Sequence, residues 1–113
     1  MKFPNFNLAI VPERKITHYL LNPAHPAGGS KAVFFLRFGF SLRHWETFAR
    51  MLVQHGLEND CMEQEEMPYG TRYVVDGILT APDGTRLNIR SVWFIDTGAM
   101  HPRFVTAHPL PKP

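Results

Sequence analysis

The sequence predicts an α+β domain, with N-terminal helices packed on a C-terminal antiparallel sheet of three to four strands. Helical periodicity with capping residues is confined to roughly residues 12–56, and alternation rich in β-branched and aromatic residues to roughly residues 69–108. The two regimes do not interleave, which favours a segregated layout over βαβ units. With 113 residues, 44% of them hydrophobic, the chain suffices for one core, so residues 1–113 are read as a single domain.

Pro12 suits the first turn of a helix, where its missing N–H would have no partner anyway. Ile16, Tyr19 and Leu20 then share one face at i, i+3 and i+4. Asn22-Pro23 stops this helix, because the residue before proline avoids helical dihedrals. Ala24 to Gly29 reads as a loop. Ser30 is a good N-cap for a second helix from Lys31 to about Phe38, with Gly39 as its stop. Val33, Phe34, Phe35, Leu36 and Phe38 leave it apolar nearly all round, so it is expected to be the most buried helix. Ser41 caps a third helix to about His55, ended by Gly56, with Leu42, Trp45, Ala49 and Leu52 on its apolar stripe.

Leu57 to Pro68 has weak periodicity and is equally compatible with an edge strand or a loop. Residues 71–80 and 85–96 then read as two strands around the turn Ala81-Pro82-Asp83-Gly84. Pairing Ala81 with Thr85 sets Leu79 opposite Leu87, Val75 opposite Ser91 and Tyr73 opposite Trp93 on an apolar face. The other face carries Asp76 opposite Arg90, Thr80 opposite Arg86 and Arg72 opposite Phe94, a polar and mostly cationic side. A further strand, about Arg103 to His108, follows the Thr97-Gly98 turn and is expected to pair antiparallel with the one before it.

Composition excludes several classes. No apolar run approaches the ~20 residues that span a bilayer, and the apolar stretch Leu8 to Val11 is too short for an export signal. Cys61 is the sole cysteine, so no disulfide can form within the chain, and a cytoplasmic setting is the expectation. The net charge of +2 conceals an acidic stretch holding Glu58, Asp60, Glu63, Glu65 and Glu66, outside which twelve basic residues face five acidic ones. A basic body suits a polyanion such as RNA, and ordinary solvated Arg and Lys account for it about as well.

Candidate chemistry centres on residues 20–32, where Gly28, Gly29 and Ser30 open a helix beside Lys31. Backbone N–H groups at such a start, with a lysine, can hold a phosphate; an ordinary helix-to-helix connection explains the same residues. The order differs from a P-loop. His25, in a Pro-flanked loop, is a candidate general acid or base. No histidine pair stands at i, i+4, and Cys61 has no partner motif, so no metal and no cofactor is expected. On the polar sheet face Arg72 and Arg90 are candidate phosphate contacts, although Arg90 can equally neutralise Asp76 across the strands. RNA cleavage by the 2′-hydroxyl needs a base, an acid and cations, and His25, Lys31 and Arg90 are of the right kinds.

The run Lys15-Ile16-Thr17-x-Tyr19-Leu20-Leu21-Asn22-Pro23-x-His25-Pro26-x-Gly28-Gly29-Ser30-Lys31-Ala32-x-Phe34-Phe35 resembles a family of uncharacterised small bacterial proteins. The likeness continues through Tyr69-Gly70-Thr71-x-Tyr73-x-Val75-x-Gly77 and Val92-Trp93-x-Ile95-Asp96-Thr97-Gly98. The Leu-Asn-Pro-x-His-Pro-x-Gly segment and the helix-first layout also resemble the C-terminal toxin domains of bacterial polymorphic toxins. Many of those are metal-independent ribonucleases of a barnase-, colicin- and RelE-like fold. That resemblance implies a ribonuclease-like domain with Lys31 and Arg90 binding phosphate and His25 as acid or base; Thr106 is a further candidate, as an orienting hydroxyl. The rival reading is a non-catalytic interaction protein, one member of a toxin and antitoxin or phage-associated pair. In either case a small acidic antitoxin or immunity-like protein is an expected partner.

Overall fold

A computed structural model describes residues 4–111. Three helices precede four strands: α1 (Glu13–Lys15), α2 (Gly29–Arg37), α3 (Trp45–Glu58), β1 (Cys61–Met67), β2 (Gly70–Thr80), β3 (Arg86–Asp96) and β4 (Arg103–Pro109). The strands form one antiparallel meander in the order β1-β2-β3-β4. This is the α+β layout the sequence predicts.

The register of the central hairpin follows from its alternation. Leu79 pairs with Leu87, Val75 with Ser91, Tyr73 with Trp93, Asp76 with Arg90, Thr80 with Arg86 and Arg72 with Phe94, as expected. Gly84 closes the turn at φ +89, a left-handed conformation that L side chains resist, and its N–H donates to the Ala81 carbonyl at 2.9 Å. The face carrying Tyr73, Val75, Leu79, Ile89 and Trp93 meets the helices. There Phe35, Phe48, Phe104 and Leu52 complete a core of fully buried side chains. The opposite face is less polar than expected, because Val74, Val92 and Phe94 are buried among its charged residues.

Three helix boundaries differ from the sequence reading. The first helix continues beyond α1 as a π-helical segment, Ile16–Leu20, with the Leu21 N–H donating to the Ile16 carbonyl at 2.8 Å. The second starts at Gly29 with Gly28 as its cap and no side-chain cap bond, so Ser30 lies inside the helix; the His25 ring, described below, instead fixes the turn before it. The third passes through Gly56 to Glu58, because a glycine facing Phe6 and Trp93 gives the helix room to pack there. Ser41 does cap, accepting from the His44 N–H, but for a 3-10 turn at Leu42–His44 that leads into α3.

Burial is also redistributed. Val33 is 52% exposed, and only Ala32 and Phe35 of α2 are buried, so α2 is not the most buried helix. On α3 the buried stripe is Phe48, Leu52, His55 and Gly56, while Leu42 is half exposed. The acidic segment is edge strand β1, irregular between Cys61 and Glu63, with Met62 to Glu66 exposed. At the other edge, β4 is bulged against Val92 and Trp93, and Ile10 adds a single parallel bridge to Arg103.

Candidate functional site

Tyr19, from the π-helical segment, Lys31, from the first turn of α2, and Thr106, on β4, meet where the helical layer reaches the sheet edge. Lys31 Nζ donates to Tyr19 Oη at 2.7 Å and to Thr106 Oγ1 at 3.1 Å, and the two hydroxyls share a bond of 2.9 Å. The three groups form a closed ring. Lys15 adds charge from below, with its Nζ 5.5 Å from the centre of the Tyr19 ring.

The connection between Tyr19 and Lys31 explains this placement. Asn22 Oδ1 accepts from the Ala24 N–H, turning the chain, and the His25 N–H donates to the Asn22 carbonyl. His25 Nδ1 then accepts from the N–H groups of Ala27 and Gly28, both at 3.0 Å, and its carbonyl accepts from Gly29. The imidazole thus closes the turn that opens α2 and lies edge-on to Tyr19, with ring centres 5.1 Å apart. A Cβ on Gly28 would stand 2.6 Å from the Tyr19 ring, and one on Gly29 would stand 2.5 Å from the Pro23 carbonyl oxygen, so both glycines are required by close approach. Since Nδ1 is an acceptor, the neutral ring carries its hydrogen on Nε2.

Of the residues singled out by sequence, Lys31, Thr106 and His25 are therefore brought together, with Gly28, Gly29 and Ser30 beside them. Arg90 is engaged elsewhere: its Nε and Nη2 donate to Asp76 Oδ1 and Oδ2 at 2.7 and 2.9 Å. Arg72 faces Glu65 across β1 and β2 at 4.0 Å. Arg103 is likewise paired, with Asp96 at 2.8 Å. No carboxylate pairs with Lys15 or Lys31 among the described residues. Tyr19 was absent from the sequence-derived set, since as the i+3 member of an apolar stripe it reads as core.

Burial alone would raise the Tyr19 phenol. The hydrogen bonds from Lys31 and Thr106, then the charges of Lys31 and Lys15, outweigh that and hold it below its ordinary value. The larger grooves lie elsewhere, for instance one lined by Phe34, Phe38, Leu87 and Pro109. The Tyr19 cluster is instead a half-buried surface at the sheet edge. No three His, Cys, Asp or Glu side chains converge as metal ligands among the described residues.

A second polar network is buried. Trp93 Nε1–H donates to Ser91 Oγ at 2.9 Å, the Ser91 hydroxyl donates to His55 Nδ1 at 2.9 Å, and His55 Nε2–H is shared between the carbonyls of Ile89 and Gly77 at 3.0 and 3.1 Å. Burial lowers the His55 pKa, against the opposing pull of both carbonyls and of Asp76 and Glu58. With Ser91 and His55 both essentially inaccessible, this pair joins helix to sheet and presents no nucleophile to solvent.

Helices laid on a four-stranded antiparallel meander define the class as a small α+β domain, with a lysine-centred hydroxyl cluster at the sheet edge. The chain belongs to the family described as "Domain of unknown function (DUF6883)", which matches residues 2–111. No curated protein matches it. Among solved structures it is similar to a chain of a "Contact-dependent growth inhibition toxin - immunity protein complex from Klebsiella pneumoniae 342". The two share 15% identity and a TM-score of 0.72, over 90% of this chain and 100% of that one. No helix among the described residues is long and apolar enough to cross a membrane.

Proposed function

We propose that this domain is a metal-independent ribonuclease of the toxin kind, cleaving RNA by attack of a 2′-hydroxyl on the adjacent phosphate. The observation that carries the reading is Lys31: a half-buried ammonium at a helix start, held by two hydroxyls and, among the described residues, by no carboxylate. In this reading Lys31 neutralises the phosphate and its developing charge, Thr106 orients the lysine, and His25 donates from Nε2 to a phosphate oxygen beside the backbone of Gly28, Gly29 and Ser30. Arg90 and Arg72 stay with their carboxylates on the sheet face turned away from the helices, and the reading gives them no part. The likeness to a chain of a toxin–immunity complex supports a toxin role, and equally a role as the binding partner of one.

Purified domain incubated with unstructured RNA is expected to yield 2′,3′-cyclic phosphate and 5′-hydroxyl ends at the same rate with and without chelator. Lys31→Met is expected to slow cleavage roughly 10²-fold or more. RNA left intact under both conditions would sink the nuclease reading and leave the partner reading, in which the domain docks an acidic protein.

A further inference from the structure

We infer that Tyr19 is a catalytic residue of this site, the group that takes the 2′-hydroxyl proton; the inference rests on the ribonuclease reading. A residue that moves a proton must be well bonded before and after the transfer, and the ring at Tyr19 meets that condition. As a phenol, Tyr19 donates its hydrogen to Thr106 Oγ1 while Lys31 donates to both oxygens. As a phenolate, it accepts from Lys31 and, once the Thr106 hydroxyl turns, from Thr106 as well. Either state uses the same three contacts. Only one hydrogen, on a freely rotating hydroxyl, changes direction.

The surroundings favour the charged state. Lys31 Nζ and Lys15 Nζ lie 5.2 and 5.5 Å from the ring centre, and the balance of burial, hydrogen bonds and charge holds the phenol below its ordinary value. His25 is excluded from the same task by its geometry. Its Nδ1 lone pair is taken by two backbone N–H groups, and its Nε2 bears hydrogen, so the neutral ring has no lone pair with which to accept a proton. It is a phosphate donor, and Tyr19 is the base.

In the step itself, Tyr19 phenolate takes the 2′-hydroxyl proton as the O2′–P bond forms and the P–O5′ bond breaks. The leaving O5′ takes a proton from water, and the hydroxide so formed removes the proton from Tyr19. The net change is an isomerisation of the RNA linkage into a cyclic phosphate and a 5′-hydroxyl, with no oxidant or cofactor consumed.

The test is the pH–rate profile of single-turnover RNA cleavage, with circular dichroism confirming that each variant folds. In the parent protein the rate rises with pH along a limb that tracks ionisation of one tyrosine, followed separately by phenolate absorbance. Tyr19→Phe, which keeps the ring against Gly28 and His25, is expected to lose at least ~10²-fold in rate, flatten that limb and remove the early phenolate signal. Thr106→Val is expected to move both limb and signal to higher pH together. A parent enzyme that cleaves, with Tyr19→Phe keeping rate and limb, overturns the assignment while the ribonuclease reading stands. Loss of the limb in His25→Gln but not in Tyr19→Phe overturns it too. A parent protein that cleaves no RNA overturns both.

Discussion

Gly28 has no side chain because Tyr19 already fills the space where a methyl group would sit. Gly28→Ala must displace the phenol ring or the turn, and overpacking of this kind costs about 1–3 kcal/mol. Urea unfolding will measure the loss, and the early phenolate signal should weaken in the same variant. Ser91 is a comparable pivot inside the core, accepting from Trp93 and donating to His55. Ser91→Ala leaves both partners buried without it, an expected loss of roughly 1–3 kcal/mol. His55 makes stability depend on pH. Its folded pKa lies below the ordinary imidazole value of 6.5, so below that pH the unfolded chain binds more protons. The contribution is fully present above pH 6.5 and is lost as pH falls from there through the folded pKa. Thermal melts of the parent should therefore decline below this range, and the decline should be shallower in His55→Gln.

At the scale of elements, the β2–β3 hairpin is the best-determined part of the chain, since alternation and turn chemistry agree on one register. Gly84 has open space around it, so Gly84→Ala pays only for the left-handed backbone, about 1 kcal/mol, again read by urea unfolding. This hairpin and the helix-first order were legible because both rest on local periodicity. Edge strand β1 was only half legible: Met62 to Glu66 are exposed on both faces and show no alternation. His55 continues the apolar stripe three residues after Leu52, a signal that a polar core residue was due there, yet nothing local names Ser91 as its partner. The site divides in the same way. Lys31, His25 and the glycines stand out in sequence because a helix start and a proline-bounded turn are local features. That Lys31 meets Thr106 across 75 positions is a product of packing, and Tyr19 was hidden by its helical spacing.

For the whole molecule, the proposed RNA contact is mainly electrostatic, so affinity should fall steeply with salt. Single strands contribute a slope of about −0.7 in log affinity against log salt for each phosphate neutralised. With Lys15 and Lys31 engaged, a slope near −1.4 is expected, and Lys31→Met should lower its magnitude by about 0.7 in a fluorescence-anisotropy titration. Arg90→Gln should change the slope little, because its charge already balances Asp76.

The meander places β1 and β4 at opposite margins of the sheet, three strand spacings apart, or roughly 14 Å. Glutamates 63, 65 and 66 lie on one margin, and the Tyr19, Lys31 and Thr106 ring lies against the other. A body charged in this way is a permanent dipole. Near the polyanion proposed as its substrate, such a dipole would feel a torque as well as a pull and would turn lysine-first before contact. On that proposal the acidic strand would be the tail of a compass needle, discarding wrong-way encounters that net charge alone would accept.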